Sequence, residues 1–144
     1  MERKEKTIDR FIKAQKLHHK ISRRELTSGK KKSHWMWYEF PQISGLGYSS
    51  VSKFYAIQTK TELRQYIQNK YLSDNLMELF IILLHIEIDD AIEIFGDIDA
   101  CKFQSCLTLF HHSRRFRYVT EQLLDKYFNG RCDDRTEKKY KEMK

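Results

Sequence analysis

The most apolar stretch of the chain, residues 76–84, restricts its possible folds more than any other feature. The stretch reads LMELFIILL, so apolar side chains would cover nearly every face of a helix formed there. A helix that is apolar all round must be surrounded by other parts of the protein. Its uninterrupted apolar run is far shorter than the roughly 18 residues expected of a membrane-spanning helix. We therefore expect a central, buried helix from residue 74 to about 86, capped by Ser73.

Further helices are predicted from capping residues and apolar spacing on both sides of this central one. Gly29, Gly96 and Gly130 each follow a segment with helical periodicity, which is where helices commonly end. Strand signals are scarce, and a chain of 144 residues is typical of one domain. The fold class predicted is all-α, a compact single-domain multihelical bundle with an irregular aromatic and glycine-rich loop packed into it. The predicted helices span about residues 7–15, 16–28, 50–55, 61–69, 89–96, 97–110 and 114–129.

The net charge of +7 is concentrated at the two ends of the chain. Residues 1–32 hold 12 basic and 4 acidic residues, residues 33–113 hold 5 and 10, and residues 114–144 hold 10 and 6. We therefore predict one helical domain over residues 7–136, with flexible basic tails at 1–6 and 137–144. Basic ends favour a mild affinity for polyanions. A protein that recognises a specific nucleic-acid sequence would instead be expected to carry its basic residues on a defined helix or strand that faces a groove.

Sequence signals for metals, cofactors, export and membranes are missing. Three cysteines, widely spaced and without a C-x-x-C pair, fit reduced thiols. The pairs His18-His19 and His111-His112 come without ligands at metal-binding spacing. We expect no metal and no cofactor. With no secretory signal and no membrane span, we expect a cytoplasmic protein without a membrane partner.

Residues 33–50, here called the aromatic-glycine segment, lose any regular periodicity and are the candidate functional region. Trp35 and Trp37 offer flat faces for a ring, while His34 and Gln42 are candidate catalytic residues that could act with a water. The segment then continues through Gly45 and Gly47 to a helix start at Ser49. Gly45, Gly47 and Ser49 could form a cradle for an anion, because glycines let backbone N–H groups approach a ligand. Ser33 is a further candidate ligand-binding residue.

Structural explanations compete with each of these functional ones. A Gly-x-Gly turn before a helix without a preceding strand is more often a tight turn. Trp35 and Trp37 are two residues apart, so at least one is expected in the core. A lone His34 is more often a hydrogen-bonded structural imidazole than a general base.

A second set of candidate residues lies on one face of the helix predicted over residues 97–110. Lys102, Ser105 and Thr108 are spaced about one turn apart. They could line a polar pocket against the aromatic-glycine segment, or bridge buried backbone groups instead. The sequence favours neither explanation.

The run KKSHWMWYEFPQISGLGYS at residues 31–49 resembles the signature of the domain-of-unknown-function family 1810, small proteins often labelled calpastatin-like. The resemblance covers about residues 7–136. It implies a compact multihelical fold and no established activity. The chain departs from the usual pattern at Cys106 and in a short link at residues 111–115. We set the calpastatin label aside, because calpastatin is extended and disordered whereas this composition is that of a folded domain. The supporting residues elsewhere are residues 11–15, Tyr55, Ala56, Ile57, Ile94, Phe95, Gly96, Asp99, Lys102, Ser105, Thr108, Leu109, Phe110 and residues 126–130.

Three function classes follow from these patterns. The first is binding, with hydrolysis as an extension, of a small anionic ligand of phosphorylated nucleotide-like or ADP-ribose-like chemistry at residues 33–50. The second is an interaction adaptor for an unknown protein partner, in which the aromatic residues belong to the core. The third is a weak nucleic-acid binder acting through the basic ends.

Overall fold

The computed structural model of the protein describes residues 7–144 and is built from α-helices. It confirms the all-α prediction: within this range nine helices occur, and the only β-type pairing is an isolated parallel bridge between Ile43 and Ile57. The helices are α1 (Asp9–Thr27), α2 (Met36–Glu39), α3 (Ser50–Tyr55), α4 (Lys60–Gln68), α5 (Lys70–His85), α6 (Ala91–Phe95), α7 (Asp97–His111), α8 (Arg117–Phe128) and α9 (Asp134–Glu142).

Helix α5 lies at the centre of the bundle, as its apolar sequence predicted. It contacts α1, α4 and α8, and its side chains Leu76, Leu79 and Leu83 are buried. Only a narrow face reaches solvent, where Ile81 is 44% exposed. The helix begins one turn earlier than expected, because the Asn69 side chain accepts a hydrogen bond from the Leu72 N–H at 3.0 Å. The predicted cap, Ser73, is instead buried within the first turns of the helix.

Helix α1 is continuous where the sequence predicted two shorter helices, and it carries unusually many buried polar side chains. Arg10 donates to Glu62 Oε2 on α4 at 2.7 Å and to the backbone carbonyl of Ala56 at 3.0 Å. Gln15 donates to the carbonyl of Tyr38 at 2.7 Å. These contacts join α1 to residues that lie roughly 20 to 50 positions later in the chain. The spacing of apolar residues within α1 therefore does not reveal them.

The aromatic-glycine segment packs into the bundle, as predicted. Trp35, Tyr38 and Phe40 are all buried. The Phe40 ring lies 5.9 Å from Phe80 of α5 and 5.5 Å from Phe103 of α7, measured between centroids. Part of the segment therefore belongs to the core and packs between α5 and α7.

The C-terminal residues differ from the flexible tail that the sequence predicted for 137–144. They continue helix α9, which packs on α7. The Tyr140 ring stacks on His112 at 3.8 Å, and Thr136 is fully buried. Docking of these few side chains is what orders a segment whose composition is otherwise strongly polar. The other predicted tail, residues 1–6, lies outside the described residues.

Candidate functional site

The start of the aromatic-glycine segment is held by one carboxylate, that of Glu25 near the end of α1. Glu25 Oε1 accepts hydrogen bonds from the backbone N–H groups of Lys32 and Ser33, at 2.8 and 3.0 Å, and from Trp35 Nε1 at 2.9 Å. Its second oxygen accepts from Ser33 Oγ at 2.5 Å. Burial alone would raise the pKa of Glu25, but the hydrogen bonds from Ser33, Lys32 and Trp35 outweigh it and lower the pKa to about 2.

These hydrogen bonds give Ser33 and Trp35 a structural role in place of the predicted ligand-binding one. The Ser33 hydroxyl is committed to Glu25, and Trp35 is 1% exposed, so its ring faces cannot receive a ligand. The sequence anticipated that one of the two tryptophans would be core, and the structure shows that it is Trp35. Trp37 is the partly exposed one.

The middle of the segment is tied to the chain that follows α3. The Ser44 N–H donates to the carbonyl of Ile57 at 2.8 Å, and the Ile57 N–H donates to the carbonyl of Gln42 at 2.9 Å. Gly45 has a φ of 99°, which only glycine adopts readily. Gly47 has an ordinary φ, and its constraint is space: an added Cβ would lie 2.7 Å from Ser52 Cβ and would also meet the Ser52 hydroxyl.

The predicted anion cradle at the start of α3 is occupied by the protein itself. Ser49 Oγ accepts a hydrogen bond from the Ser52 N–H at 3.1 Å and caps the helix. Ser52 Oγ in turn donates to the Ser49 carbonyl at 2.9 Å. Ser49 is therefore a capping residue, and the Ser52 N–H at the start of this short helix is already hydrogen-bonded within the protein.

A cavity of about 290 Å³ opens beside the glycine turn and is here called the basic cavity. It brings together six of the sequence-predicted site residues: Trp37, Gln42, Gly45, Gly47, Lys102 and Ser105. Its wall is completed by Ile43, Ser44, Leu46, Ser52, Lys53, Tyr55, Ala56, Ile98, Cys101 and Arg135.

Three basic side chains reach the basic cavity from three separate helices. They are Lys53 of α3, Lys102 of α7 and Arg135 of α9, and among the described residues that line the cavity none is acidic. The Lys102 ammonium lies 4.9 Å from the Trp37 ring centroid and 3.4 Å from Asp99 Oδ1. The result is a concave surface with a concentration of positive charge, which attracts anions.

Lys53 and Arg135 were missed by sequence reasoning. Arg135 falls in a polar stretch that had no apolar stripe to indicate a docked helix, and Lys53 is one basic residue on a short helix. Their convergence depends on the packing of α9 on α7, a long-range contact. The available sequence signal was Asp133, a residue type that commonly caps helices, and in the structure its side chain accepts a hydrogen bond from the Thr136 N–H at 3.0 Å.

Five of the predicted site residues lie outside the basic cavity: Ser33, Trp35 and Ser49, described above, together with His34 and Thr108. His34 is exposed and lines a neighbouring depression. Thr108 is fully buried, and its hydroxyl donates to the Gln104 carbonyl at 2.8 Å and accepts from the Asp133 N–H at 2.8 Å. Ser105 lines the cavity, but its hydroxyl donates to the Cys101 carbonyl at 3.1 Å. The backbone-bridging alternative is thus the one that the structure supports for Thr108.

A buried charge network lies on the other side of the segment, away from the basic cavity. His19 bridges Glu39 Oε1 at 2.9 Å and Glu78 Oε1 at 2.8 Å. Burial would lower the pKa of His19, but the two carboxylates outweigh it and raise the pKa. Burial raises the pKa of Glu39, whose hydrogen bond and attraction to His19 only partly offset it. This network links α1, α2 and α5 and belongs to the core.

Within residues 7–144, no set of three histidine, cysteine or carboxylate residues is placed so that it could hold a metal ion. None of the described helices has both the length and the apolar character needed to cross a membrane.

Comparison with known proteins identifies the family. The family model described as "Protein of unknown function (DUF1810)" matches residues 5–140. The crystal structure of the conserved hypothetical protein Rv1873 from Mycobacterium tuberculosis is similar, with 35% sequence identity and a TM-score of 0.86. That match covers 90% of this chain and 92% of the other. Among curated proteins, no sequence matches this chain. The signature at residues 31–49 and the fold therefore lead to one conclusion: this chain belongs to the DUF1810 family of proteins of unknown function.

Proposed function

We propose that this protein binds a small phosphorylated ligand of nucleotide-like chemistry in the basic cavity. The observation that carries the proposal is the convergence of Lys53, Lys102 and Arg135 on one concave surface whose described lining has no acidic residue. Phosphate is the common biological anion that arginine recognises through paired hydrogen bonds, with lysine supplying a point charge. Trp37 and Tyr55 in the same wall supply aromatic surface for the rest of the ligand.

The size of the basic cavity favours a phosphomonoester over a larger diphosphate. Its volume of about 290 Å³ lies at the lower end of the range of small-molecule sites, which is about 300–1,000 Å³. A phosphate with an attached sugar fits this space. An ADP-ribose-like ligand, with two sugars and two phosphates, would extend well beyond it.

The proposal is limited to binding, because the two candidate catalytic residues, His34 and Gln42, do not line the same cavity. Gln42 lines the basic cavity, whereas His34 does not. The Gln42 side chain is an amide, which can orient a water molecule but has no titratable group with which to take its proton.

Calorimetric titration with ribose 5-phosphate tests the proposal, with unphosphorylated ribose as the ligand control. Ribose 5-phosphate should bind and ribose should not. Arg135→Gln should weaken binding roughly tenfold or more, since a hydrogen bond between charged groups contributes about 1.5–3 kcal/mol. Lys16→Gln is the matched control, because it removes the same charge from an exposed position on α1 outside the cavity. Equal affinity in parent and Arg135→Gln, or no binding of ribose 5-phosphate, would show that the proposal is wrong.

A protein-interaction role is the second candidate, and one surface favours it. A groove of about 640 Å³ between α1 and α3 is lined by Ala14, Leu17, Tyr38 and Phe54, among others, and Leu17 is 75% exposed. An exposed leucine in a groove with aromatic walls is typical of protein-binding surfaces. Under this hypothesis a protein recovered with the parent should be lost with Leu17→Lys and retained with Arg135→Gln. Retention by both variants would contradict the adaptor role.

Weak polyanion binding through the basic ends remains a third proposal. Helix α1 exposes Lys16, Lys20, Arg23 and Arg24. Binding of this type should fall steeply as salt rises. Fluorescence anisotropy with labelled RNA at two salt concentrations measures it, and salt-independent binding would exclude this mode.

A further inference from the structure

The basic cavity has a neighbour that shares part of its wall. This second depression, here called the outer pocket, has a volume of about 480 Å³. Trp37, Ile98 and Lys102 belong to both. The two spaces are therefore adjacent, with Trp37 and Lys102 at their common boundary. The remaining lining of the outer pocket is Lys31, His34, Met36, Phe95, Gly96, Asp97 and Asp99.

The outer pocket differs from the basic cavity in its charge. The formal charges in its lining cancel, because two lysines, Lys31 and Lys102, are matched by two aspartates, Asp97 and Asp99. Lys31 Nζ lies 2.7 Å from Asp99 Oδ2, and Lys102 Nζ lies 3.4 Å from Asp99 Oδ1. None of the ion pairs between described residues includes Asp97. The outer pocket thus has no excess of positive charge and carries one carboxylate that is able to accept hydrogen bonds.

The other side chains of the outer pocket suit a flat, uncharged ring. Trp37 and Ile98 provide apolar surface, and Ile98 is 74% exposed. His34 is also exposed at this pocket, where its imidazole can hydrogen-bond or stack. A heterocyclic base has an apolar face and polar edges, and an exocyclic amino group on that edge would donate to a carboxylate such as Asp97.

We infer that the basic cavity and the outer pocket form one site for a nucleoside monophosphate whose base carries an exocyclic amino group. The phosphate occupies the basic cavity, the sugar crosses the boundary at Trp37, and the base lies in the outer pocket against Ile98 with its amino group toward Asp97. This assignment rests on the proposed function and adds the identity of the uncharged end of the ligand. It also gives His34 a role in contacting the base, which explains why it lies outside the basic cavity.

Three ligands separate the two ends of the site in calorimetric titrations. They are adenosine 5′-monophosphate, inosine 5′-monophosphate, which has no exocyclic amino group, and ribose 5-phosphate, which has no base. Adenosine 5′-monophosphate should bind roughly tenfold more tightly than ribose 5-phosphate, as expected for one stacked base. It should also bind more tightly than inosine 5′-monophosphate.

Two outer-pocket variants test the named residues, each with a matched control. His34→Ala should reduce the advantage of adenosine 5′-monophosphate over ribose 5-phosphate, and His85→Ala, at another exposed histidine, should not. Asp97→Ala should abolish the preference over inosine 5′-monophosphate. Asp9→Ala, which removes a first-turn aspartate from a different helix, should preserve it.

The outcomes distinguish this inference from the proposed function. If ribose 5-phosphate and adenosine 5′-monophosphate bind equally and both depend on Arg135, the inference is wrong and the proposed function stands. If adenosine 5′-monophosphate is bound more tightly but His34→Ala and Asp97→Ala leave that advantage unchanged, the base lies elsewhere and the inference is also wrong. If none of the three ligands binds, both are wrong.

Discussion

The indole N–H of Trp35 donates to Glu25 Oε1 at 2.9 Å, joining a fully buried aromatic ring to a carboxylate that also receives two backbone N–H groups. This relationship fixes where the aromatic-glycine segment leaves α1. A carboxylate held by so many donors is stabilised in its charged form. The start of the aromatic-glycine segment is therefore held in place by one ionised side chain.

Glu25→Gln should destabilise the protein at neutral pH by about 2 kcal/mol or more, because an amide cannot accept all four hydrogen bonds. The pKa of Glu25 is lowered from 4.5 to about 2, so its stabilisation is present above pH 4.5 and is lost as the pH falls toward 2. Urea unfolding at pH 7 and pH 3 should show a smaller difference between parent and variant at pH 3. Glu121→Gln, at an exposed position, serves as control; an equal difference at both pH values would contradict the assignment.

Leu83→Ala should cost about 2–5 kcal/mol, because Leu83 is fully buried on the central helix and its truncation leaves a cavity. Chemical denaturation measures the loss. Ile81→Ala on the same helix is the matched control, since Ile81 is 44% exposed and should cost much less. A cost below about 0.5 kcal/mol for Leu83→Ala would place the residue outside the core, against the structure.

Lys126→Met should destabilise the protein by about 1–3 kcal/mol, because the Lys126 ammonium donates to the carbonyl groups of Leu83, Leu84 and Ile86 at the end of α5. Methionine keeps much of the apolar stem and removes all three donors. The free energy of unfolding measures the effect, with Lys138→Met at an exposed position of α9 as control. If both variants were equally stable, the capping role would be wrong.

Tyr140→Ala should lower the melting temperature, because the Tyr140 ring stacks on His112 and docks α9. The stacked pair alone is expected to contribute about 0.5–1.5 kcal/mol beyond the area that it buries. Lys141→Ala, an exposed neighbour on the same helix, should leave the melting temperature unchanged. An unchanged melting temperature in Tyr140→Ala would restore the original expectation of a loose tail.

Gly47→Ala should be destabilising only while Ser52 keeps its side chain. The added Cβ would come within 2.7 Å of Ser52 Cβ, so the clash depends on that partner. In a double-mutant cycle, Gly47→Ala should cost less in a Ser52→Gly background than in the parent. Equal costs in both backgrounds would mean that another feature of the turn excludes the methyl group.

Local rules predicted much of this fold because its helices are defined by local features. The apolar run of α5 and the glycines after α1, α6 and α8 are such features, and Gly29, Gly96 and Gly130 all have positive φ. The positions of Glu25 and Arg135 depend instead on contacts between segments distant in sequence. A buried carboxylate and a docked polar helix leave no periodic pattern, so neither could be predicted from spacing.

The candidate site was predicted in part for the same reason. The glycine turn, Trp37 and Gln42 were identified because unusual residues cluster there in the sequence, and Lys102 was identified by its spacing on a predicted helix. The sequence did not show which tryptophan is buried and which lines the cavity, because that depends on the direction in which the folded chain turns. Ser49 was assigned to a ligand because a serine at a helix start has the same sequence pattern whether it caps the helix or is open to solvent.

The two hydrogen bonds that join Gln42 and Ser44 to Ile57 bring together the two ends of the chain segment that carries α3. Because its two ends are fixed close together, this segment resembles an Ω-loop that projects from the bundle. Lengthening such a loop adds little to the entropic cost of bringing its ends together. Residues inserted between 46 and 49, ahead of α3, would leave Ile43 and Ile57 in place in the core and would keep the hydrogen bond from Arg10 Nε to the Phe54 carbonyl. One wall of the basic cavity can thus be remodelled without repacking the helices, which makes this loop the natural place to engineer a different ligand preference.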